Sequence, residues 1–206
     1  MCGLEFCGNA SRAFALYKAL QNEPALDEIT VKVSGAHDPL SAKVDVETGN
    51  VEMDMPIPSA IKKFAAEELH LNKDGHLVTL DGIAHLILQD IPPMKDTFEN
   101  LKDYIYENYD ANLPAFGVMF YDTCNQMMTP VVYVKDVDTT YFEGSCASGT
   151  LAAAYAVGTI KEDGIHELTM QQPGGVLSAK VIKKEGRIEN IYLNGPIKLS
   201  DVITIG

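Results

Sequence analysis

The chain has 206 residues, of which 46% are hydrophobic, and carries a formal net charge of −13 with only 16 lysine and arginine residues. This length can bury one large core or two cores of about 100 residues each. Because no basic cluster is available to neutralise phosphates, the composition argues against a nucleic acid or an anionic membrane surface as partner and favours a small soluble substrate.

The first half of the sequence predicts helices among strands. A helix over 13–20 is apolar around most of its circumference, so we expect it to be buried on nearly all sides. A short amphipathic helix is predicted over 59–73, with an apolar side formed by Ile61, Phe64, Ala65 and Leu69. Strands are predicted at 29–33, at 40–46 and 51–55 around a hairpin turn, and at 76–91 with a break at Asp81-Gly82.

The second half repeats this order after a linker rich in proline, lysine and aspartate. Helices are predicted around 101–109 and at 150–157, the latter ending at Gly158 as a C-terminal cap. Strands are predicted at 116–121, 130–135, 139–142, 167–171, 176–182 and 188–193. We therefore predict an α+β chain of two domains, 1–92 and 93–206.

Two cysteines open near-identical segments. Cys7-Gly8-Asn9-Ala10 and Cys146-Ala147-Ser148-Gly149 each lead into an apolar helix, and a Ser-Ala-Lys-Val sequence recurs downstream of both. The chain is therefore interpreted as two copies of one unit, each presenting a cysteine. Strands are predicted ahead of Cys146 but not ahead of Cys7, so we expect the first domain to be incomplete at its N-terminus and its helix to have one uncovered side.

These two cysteines suit acid/base chemistry. A cysteine at a helix N-terminus has its thiolate favoured by unpaired N–H groups and by the helix dipole, so its pKa falls toward the working range. A thiolate on one face of an α-carbon and a thiol on the other can invert that carbon without a cofactor. The neighbouring small residues let a substrate approach the backbone, whose N–H groups can hold a carboxylate; these are Gly8, Asn9, Ala147, Ser148 and Gly149.

The remaining cysteines, Cys2 and Cys124, lack this context and are predicted to be bystanders. Four scattered cysteines without a CxxC motif or a His/Cys cluster argue against a disulfide framework and a metal site. We expect no cofactor. The longest apolar stretch, 151–157, is far shorter than the roughly 20 residues that span a bilayer, and no basic region followed by an apolar run opens the chain, so we expect a cytoplasmic protein.

The cysteine motifs, together with Gln172-Pro173-Gly174-Gly175 and Leu193-Asn194-Gly195-Pro196, resemble the diaminopimelate epimerase family over nearly the whole chain. The resemblance implies a cofactor-independent amino-acid racemase or epimerase. It further implies two pseudo-symmetric domains, each an antiparallel barrel-like sheet wrapped around a central helix, with the opening strands of the first domain missing. Cys7 and Cys146 would then be the acid/base pair at the interdomain cleft.

Departures from the family motifs bear on the substrate. Gly82-Ile83-Ala84-His85 keeps the histidine of a Gly-Asn-Pro-His segment but not its asparagine, and the region 137–142, where the family has a Glu-Arg-Gly segment ahead of the second cysteine, contains no arginine. The missing guanidinium clamp for a distal carboxylate argues against diaminopimelate. The segment 142–146 is instead similar to that of the histidine racemases, and His85 and Glu143 are candidate contacts for the substrate side chain. The charge of Arg12 opposes the dipole of the first helix, so we expect this side chain either to make a contact outside that helix or to lie partly exposed at the cleft rim.

We therefore predict a PLP-independent racemase of histidine or another amino acid that uses two thiols. The alternatives are a diaminopimelate epimerase of lysine and peptidoglycan biosynthesis, a catalytically inactive amino-acid-binding paralogue, and a thiol-disulfide redox protein, the last of which lacks a CxxC motif. The sequence leaves open whether the chain forms a homodimer.

Overall fold

The computed structural model describes residues 6–22 and 24–200. Within them the helices are α1 (Gly8–Leu20), α2 (Lys95–Asn108) and α3 (Ala147–Thr159), and a 3-10 turn covers Lys135–Val137. The strands are β1 (Glu28–Val31), β2 (Leu40–Asp45), β3 (Asn50–Asp54), β4 (Ala60–Phe64), β5 (Gly75–Leu80), β6 (Ile83–Gln89), β7 (Ala115–Asp122), β8 (Met127–Val134), β9 (Thr139–Phe142), β10 (Gly164–Gln172), β11 (Gly175–Lys184) and β12 (Arg187–Asn194).

All of these strands belong to one sheet, in the order β1-β2-β3-β12-β11-β10-β8-β7-β6-β5-β4, and β9 pairs with β8 off this path. Most neighbours are antiparallel, whereas β6 runs parallel to β7 and β10 meets β8 in a short parallel contact. The pairing of Leu193 with Met53 joins β12 to β3, so a strand from the second half of the chain lies beside one from the first. The predicted α+β class is confirmed. No helix among the described residues is long and apolar enough to cross a membrane.

The predicted hairpins are confirmed where turn chemistry is strong. Strands β2 and β3 are joined by the turn that contains Gly49, whose φ is +70°, and β5 and β6 are joined at Asp81-Gly82, where Gly82 has φ +82°. Glycine adopts these positive φ values without the steric cost that a Cβ brings.

The sheet carries a core on each face. One core packs around α3 and one face of α1, and the other lies between the sheet and α2. Strand β6 shows the division, because Ile83 and Ile87 join the first core while Leu86 and Leu88 join the second. A strand that is covered on both faces has a largely apolar sequence, which explains the segment from Ile83 to Leu88, where His85 is the one polar residue.

The two cysteine-led helices are covered to different extents. Every residue of α3 from Ala147 to Ala154 is buried, because the sheet and α1 surround it. Helix α1 buries one face, whereas Phe14, Tyr17 and Leu20 remain 51%, 48% and 51% exposed. The prediction that α1 is buried on nearly all sides is therefore wrong, and the expectation of one uncovered side is confirmed.

The prediction of a helix over 59–73 is wrong. Residues 60–64 form strand β4, which pairs with β5, and turns follow. Ile61 and Phe64 are three residues apart and therefore point to opposite faces of a strand; Ile61 packs against the α3 core and Phe64 lies in the α2 core. Their helical spacing reflects two separate cores rather than one apolar helix face.

Helix α3 does not end at Gly158 but continues to Thr159. A Cβ on Gly158 would lie 2.9 Å from Cγ1 of Val181, so the glycine lets β11 approach the helix closely. The buried Nζ of Lys183 donates to the carbonyls of Gly158, Thr159 and Lys161 at 3.3, 2.8 and 2.6 Å. A lysine therefore caps the helix, where its charge also suits the negative end of the dipole.

Candidate active site

Cys7 and Cys146 occupy equivalent positions at the starts of α1 and α3. Cys7 is the N-cap of α1 with φ −123° and ψ 97°, and Cys146 is the N-cap of α3 with φ −124° and ψ 106°. Each helix has 13 residues. The prediction that both thiols lie at helix N-termini is confirmed, and their backbones share one extended conformation.

A hydroxyl four residues after each cysteine repeats the same contact. Ser11 Oγ donates to the carbonyl of Cys7 at 2.9 Å, and Thr150 Oγ1 donates to the carbonyl of Cys146 at 2.7 Å. Such bonds hold the first turn of each helix against the residue that carries the thiol.

The two helix N-termini touch each other. A Cβ on Gly8 would lie 2.8 Å from the Cβ of Ala147, so the methyl of Ala147 fills the space that glycine leaves. Asn9 Nδ2 donates to the carbonyl of Ser145 at 3.1 Å, which ties the first cysteine turn to the loop before the second. The position of each cysteine therefore depends on the other half of the chain.

Both helices open on one cavity of about 410 Å³, a size typical of sites for small molecules. Cys7 and Cys146 both line it, together with the predicted site residues Gly8, Asn9, Ala147, Ser148 and Glu143. Cys7 is partly exposed and Cys146 is buried. The charged residues in the lining are Asp136 and Glu143, both carboxylates.

Two predicted site residues do not line the cavity. Gly149 lies one turn inside α3, where its N–H donates to Cys146 Sγ at 3.3 Å and a side chain would collide with Met119. His85 is fully buried on β6, and its Nε2 lies 2.9 Å from Ser148 Oγ. The structure therefore places His85 behind Ser148 rather than against a substrate in the cavity.

The pKa of the Cys146 thiol is raised. Burial of the sulfur is the main cause, and the carboxylate of Glu143, a hydrogen-bond partner of the thiol, adds to it. Hydrogen bonds from Ser148 and Gly149 act in the opposite direction. The prediction of a lowered pKa is therefore wrong for Cys146, because desolvation outweighs the effect of the helix N-terminus. Burial also raises the pKa of the Glu143 carboxyl.

Sequence reasoning gave no role to Gln172, which holds the backbone of Cys146. Gln172 Oε1 accepts from Cys146 N–H at 2.8 Å, and its Nε2 donates to Thr150 Oγ1 at 2.8 Å. Because Thr150 donates onward to the Cys146 carbonyl, the three residues form a closed, buried ring. The only sign of a role for Gln172 in the sequence was its position in the Gln172-Pro173-Gly174-Gly175 motif, which carries part of the resemblance to the diaminopimelate epimerase family.

Arg12 is fully buried and does not line the cavity. The prediction of a partly exposed position at the cleft rim is therefore wrong. Its Nε donates to the carbonyl of Val51 at 3.1 Å, and its Nη2 donates to the carbonyl of Gly195. Burial lowers the pKa of Arg12 to about 10. The predicted contact outside the helix is therefore structural, because it fixes α1 to β3 and to the residue that follows β12.

No group of three or more His, Cys, Asp or Glu side chains within 6–22 and 24–200 is arranged to hold a metal ion. Cys124 lies exposed in the turn after β7, and Cys2 is outside the described residues.

The histidine racemase CntK N-terminal domain family matches residues 1–202. The chain belongs to this family. It is 32% identical over 204 residues to a histidine racemase of Fusobacterium nucleatum subsp. nucleatum, covering 97% of this chain and 74% of the relative. A histidine racemase of Staphylococcus aureus is 25% identical over 184 residues, covering 85% and 64% of the two chains.

The fold is shared with solved structures. A hydroxyproline epimerase from Agrobacterium vitis matches with a TM-score of 0.54 at 13% identity, over 90% of this chain and 62% of that one. The family and its curated relative make the chain an isomerase of the amino-acid racemase and epimerase type. The interpretation as an amino-acid racemase near the histidine racemases is confirmed.

Proposed function

We propose that this chain racemises histidine through two thiols, Cys7 and Cys146, without a cofactor. The observation that carries the proposal is their placement: both cap helix N-termini that touch each other, and both line one cavity. Inverting an α-carbon requires a base on one face and an acid on the other. Two equivalent half-sites that share a cavity meet this requirement.

The first turns of α1 and α3 would bind the substrate carboxylate. The first N–H groups of an α-helix have no partner within the helix and lie at the positive end of its dipole. Gly8, Asn9, Ala147 and Ser148 contribute such groups and line the cavity. The same amides would stabilise the enolate-like charge that develops on the carboxylate when the α-proton leaves.

The proton transfers balance between the two sulfurs. Because burial and Glu143 raise the pKa of Cys146, we propose that Cys146 holds a proton in the resting site and acts as the acid. The thiolate of Cys7 takes the α-proton, and Cys146 delivers its proton to the opposite face of the carbanion. Cys7 is then the thiol and Cys146 the thiolate, which is the arrangement that catalyses the reverse reaction.

The charges in the cavity favour an imidazole side chain. Asp136 and Glu143 contribute carboxylates, and no lysine, arginine or histidine lines the cavity among the described residues. An imidazole ring can donate hydrogen bonds to carboxylates, and its protonated form is a cation. A substrate with a distal carboxylate would meet repulsion there, and the relatives at 32% and 25% identity are histidine racemases.

We also propose that residues 1–92 and 93–206 are two pseudo-symmetric domains. Support comes from the paired features at their cysteines: similar N-cap dihedral angles, helices of equal length and a hydroxyl four residues on that bonds the cysteine carbonyl. Superposition of the two halves of an experimental structure tests this directly.

The experiment is α-proton exchange in D₂O, followed by proton NMR for L-histidine and a panel of other L-amino acids, diaminopimelate included. We expect the α-proton signal of histidine to disappear. Cys7→Ser and Cys146→Ser should each abolish racemisation with the fold retained, whereas Cys124→Ser, at an exposed cysteine, should leave it unchanged. Near-normal turnover in either active-site variant refutes the two-thiol mechanism, and exchange of another amino acid alone refutes histidine as substrate.

A further inference from the structure

His85 is a fully buried titratable group beside the candidate site that the proposed mechanism does not use. Its side chain is fully buried, its Nε2 lies 2.9 Å from Ser148 Oγ, and its Nδ1 has no hydrogen-bond partner. A Cβ on Gly117 would lie 2.5 Å from Nδ1, so the glycine of β7 makes room for the ring. The strand register therefore fixes the imidazole against Ser148.

The environment also selects one tautomer. Burial lowers the pKa of His85 to about 3, so the ring is neutral at neutral pH. A buried N–H without an acceptor is rarer in proteins than a buried acceptor without a donor. A ring with its proton on Nε2 donates to Ser148 Oγ and leaves Nδ1 as an acceptor, whereas the other tautomer would leave a buried N–H without an acceptor, so the first tautomer is favoured.

This donation leaves Ser148 free to direct its own proton elsewhere. A hydroxyl has one donor and two acceptor positions, and the acceptor side of Ser148 is engaged by His85. Cys146 Sγ lies 3.5 Å from Ser148 Oγ, within reach of its O–H. The Gly149 N–H, 3.3 Å from the same sulfur, is a second donor.

Other titratable groups face the cavity that this sulfur lines. Glu143, on the loop before α3, is in contact with the thiol and disfavours its ionisation. Cys7, at the start of α1, and Asp136, in the 3-10 turn, line the same cavity. Cys146 must nevertheless become a thiolate once in every catalytic cycle. A donor aimed at its sulfur is what this ionised state requires.

We propose that His85 is a positioning residue: it orients the Ser148 hydroxyl toward Cys146 Sγ and thereby stabilises the Cys146 thiolate. Its use in turnover rests on the proposed function, because the thiolate is the base of one reaction direction. The alignment of His85, Ser148 and Cys146 itself exists without substrate and can be measured without it.

The test follows Cys146 alone, in a chain in which Cys2, Cys7 and Cys124 are replaced by serine. The second-order rate of alkylation by iodoacetamide is measured against pH, since only the thiolate reacts. A hydrogen bond to a charged group stabilises it enough to shift a pKa by about one to two units. Losing this bond should raise the pKa of Cys146, which lowers the fraction of thiolate at a given pH but makes each thiolate a somewhat better nucleophile. The two effects together should slow alkylation below the pKa by about three- to tenfold.

The variants separate the two steps. Ser148→Ala removes the donor and should slow alkylation. His85→Gln and His85→Asn are a matched pair of amides: the glutamine can place its N–H near the position of Nε2 and should keep the rate, whereas the shorter asparagine should lose it. Combining His85→Asn with Ser148→Ala should give no further loss, because His85 acts through Ser148.

Two results would overturn the inference. An unchanged rate in Ser148→Ala removes the donor step, and this variant deletes only one hydroxyl, so it remains informative if a His85 variant does not fold. Additive losses in the double variant would show that His85 acts by general packing. Failure of the proposed function gives a different signature, namely an intact alkylation pattern in the single-cysteine chain while the chain with all four cysteines exchanges no α-proton of histidine.

Discussion

The ring formed by Gln172, Thr150 and Cys146 should make Gln172 the support of the second thiol. In Gln172→Met the side chain keeps its length but loses both hydrogen bonds of the ring. These are the bond that Oε1 accepts from the Cys146 N–H at 2.8 Å and the bond that Nε2 donates to Thr150 Oγ1 at 2.8 Å. Leaving the buried N–H unsatisfied costs about 1–3 kcal/mol, and the lost bond to the hydroxyl adds about 1 kcal/mol. We expect a loss of about 3 kcal/mol.

The assay is thermal unfolding followed by circular dichroism. For a chain of 206 residues, about 3 kcal/mol corresponds to a fall of about 7 °C in Tm. The matched control is Gln171→Met, the same substitution at the neighbouring, exposed glutamine. We also expect kcat/KM to fall by about tenfold or more, because the Cys146 backbone loses its anchor. A Tm for Gln172→Met no lower than that of the control would refute the ring as a source of stability.

Three further outcomes are expected. Gly8→Ala should lower both activity and stability, the latter by about 1–3 kcal/mol, because its Cβ would lie 2.8 Å from the Cβ of Ala147 and 2.8 Å from Cε of Met55. Adding Ala147→Gly should restore part of both, since it removes the first of these two contacts, and the absence of any rescue in the double variant would contradict the contact with Ala147. Lys183→Met should cost about 1–3 kcal/mol in chemical denaturation, since three carbonyls lose their donor, whereas the exposed Lys184→Met should be neutral. Burial lowers the pKa of His85 to about 3, so below about pH 6.5 the unfolded chain binds a proton at this residue that the folded chain does not bind. The free energy of unfolding should therefore decline by up to about 1.4 kcal/mol per pH unit as pH falls from about 6.5 toward 3. His85→Gln should remove this part of the pH dependence in urea titrations, and an unaltered slope would contradict the buried neutral ring.

Local signals explain what the sequence could predict. The cysteine motifs combine small residues with an apolar helix, and both Cys7 and Cys146 prove to be N-caps. Turn residues such as Gly49 and the Asp81-Gly82 pair mark the hairpins, because the ability to adopt a positive φ is a property of glycine itself. These features require no knowledge of distant parts of the chain.

Predictions failed where a distant partner decides the outcome. The segment 59–73 has helical spacing, but pairing with β5 and the presence of two cores make 60–64 a strand. Arg12 is buried because its guanidinium donates hydrogen bonds to the backbone carbonyls of Val51 in β3 and of Gly195 just after β12. The pKa of Cys146 depends on how completely the sheet and α1 enclose α3, and a helix-terminus rule cannot contain that information.

The unequal covering of α1 and α3 also sets an order in which the site should come apart. Local opening costs least where few apolar contacts are lost, and α1, with Phe14, Tyr17 and Leu20 half exposed, has fewer to lose than the enclosed α3. Backbone amides of α1 should therefore exchange with deuterium sooner than those of α3. Warming would then remove Cys7 from the pair before the sheet melts, so that catalysis fails while most of the molecule is still folded.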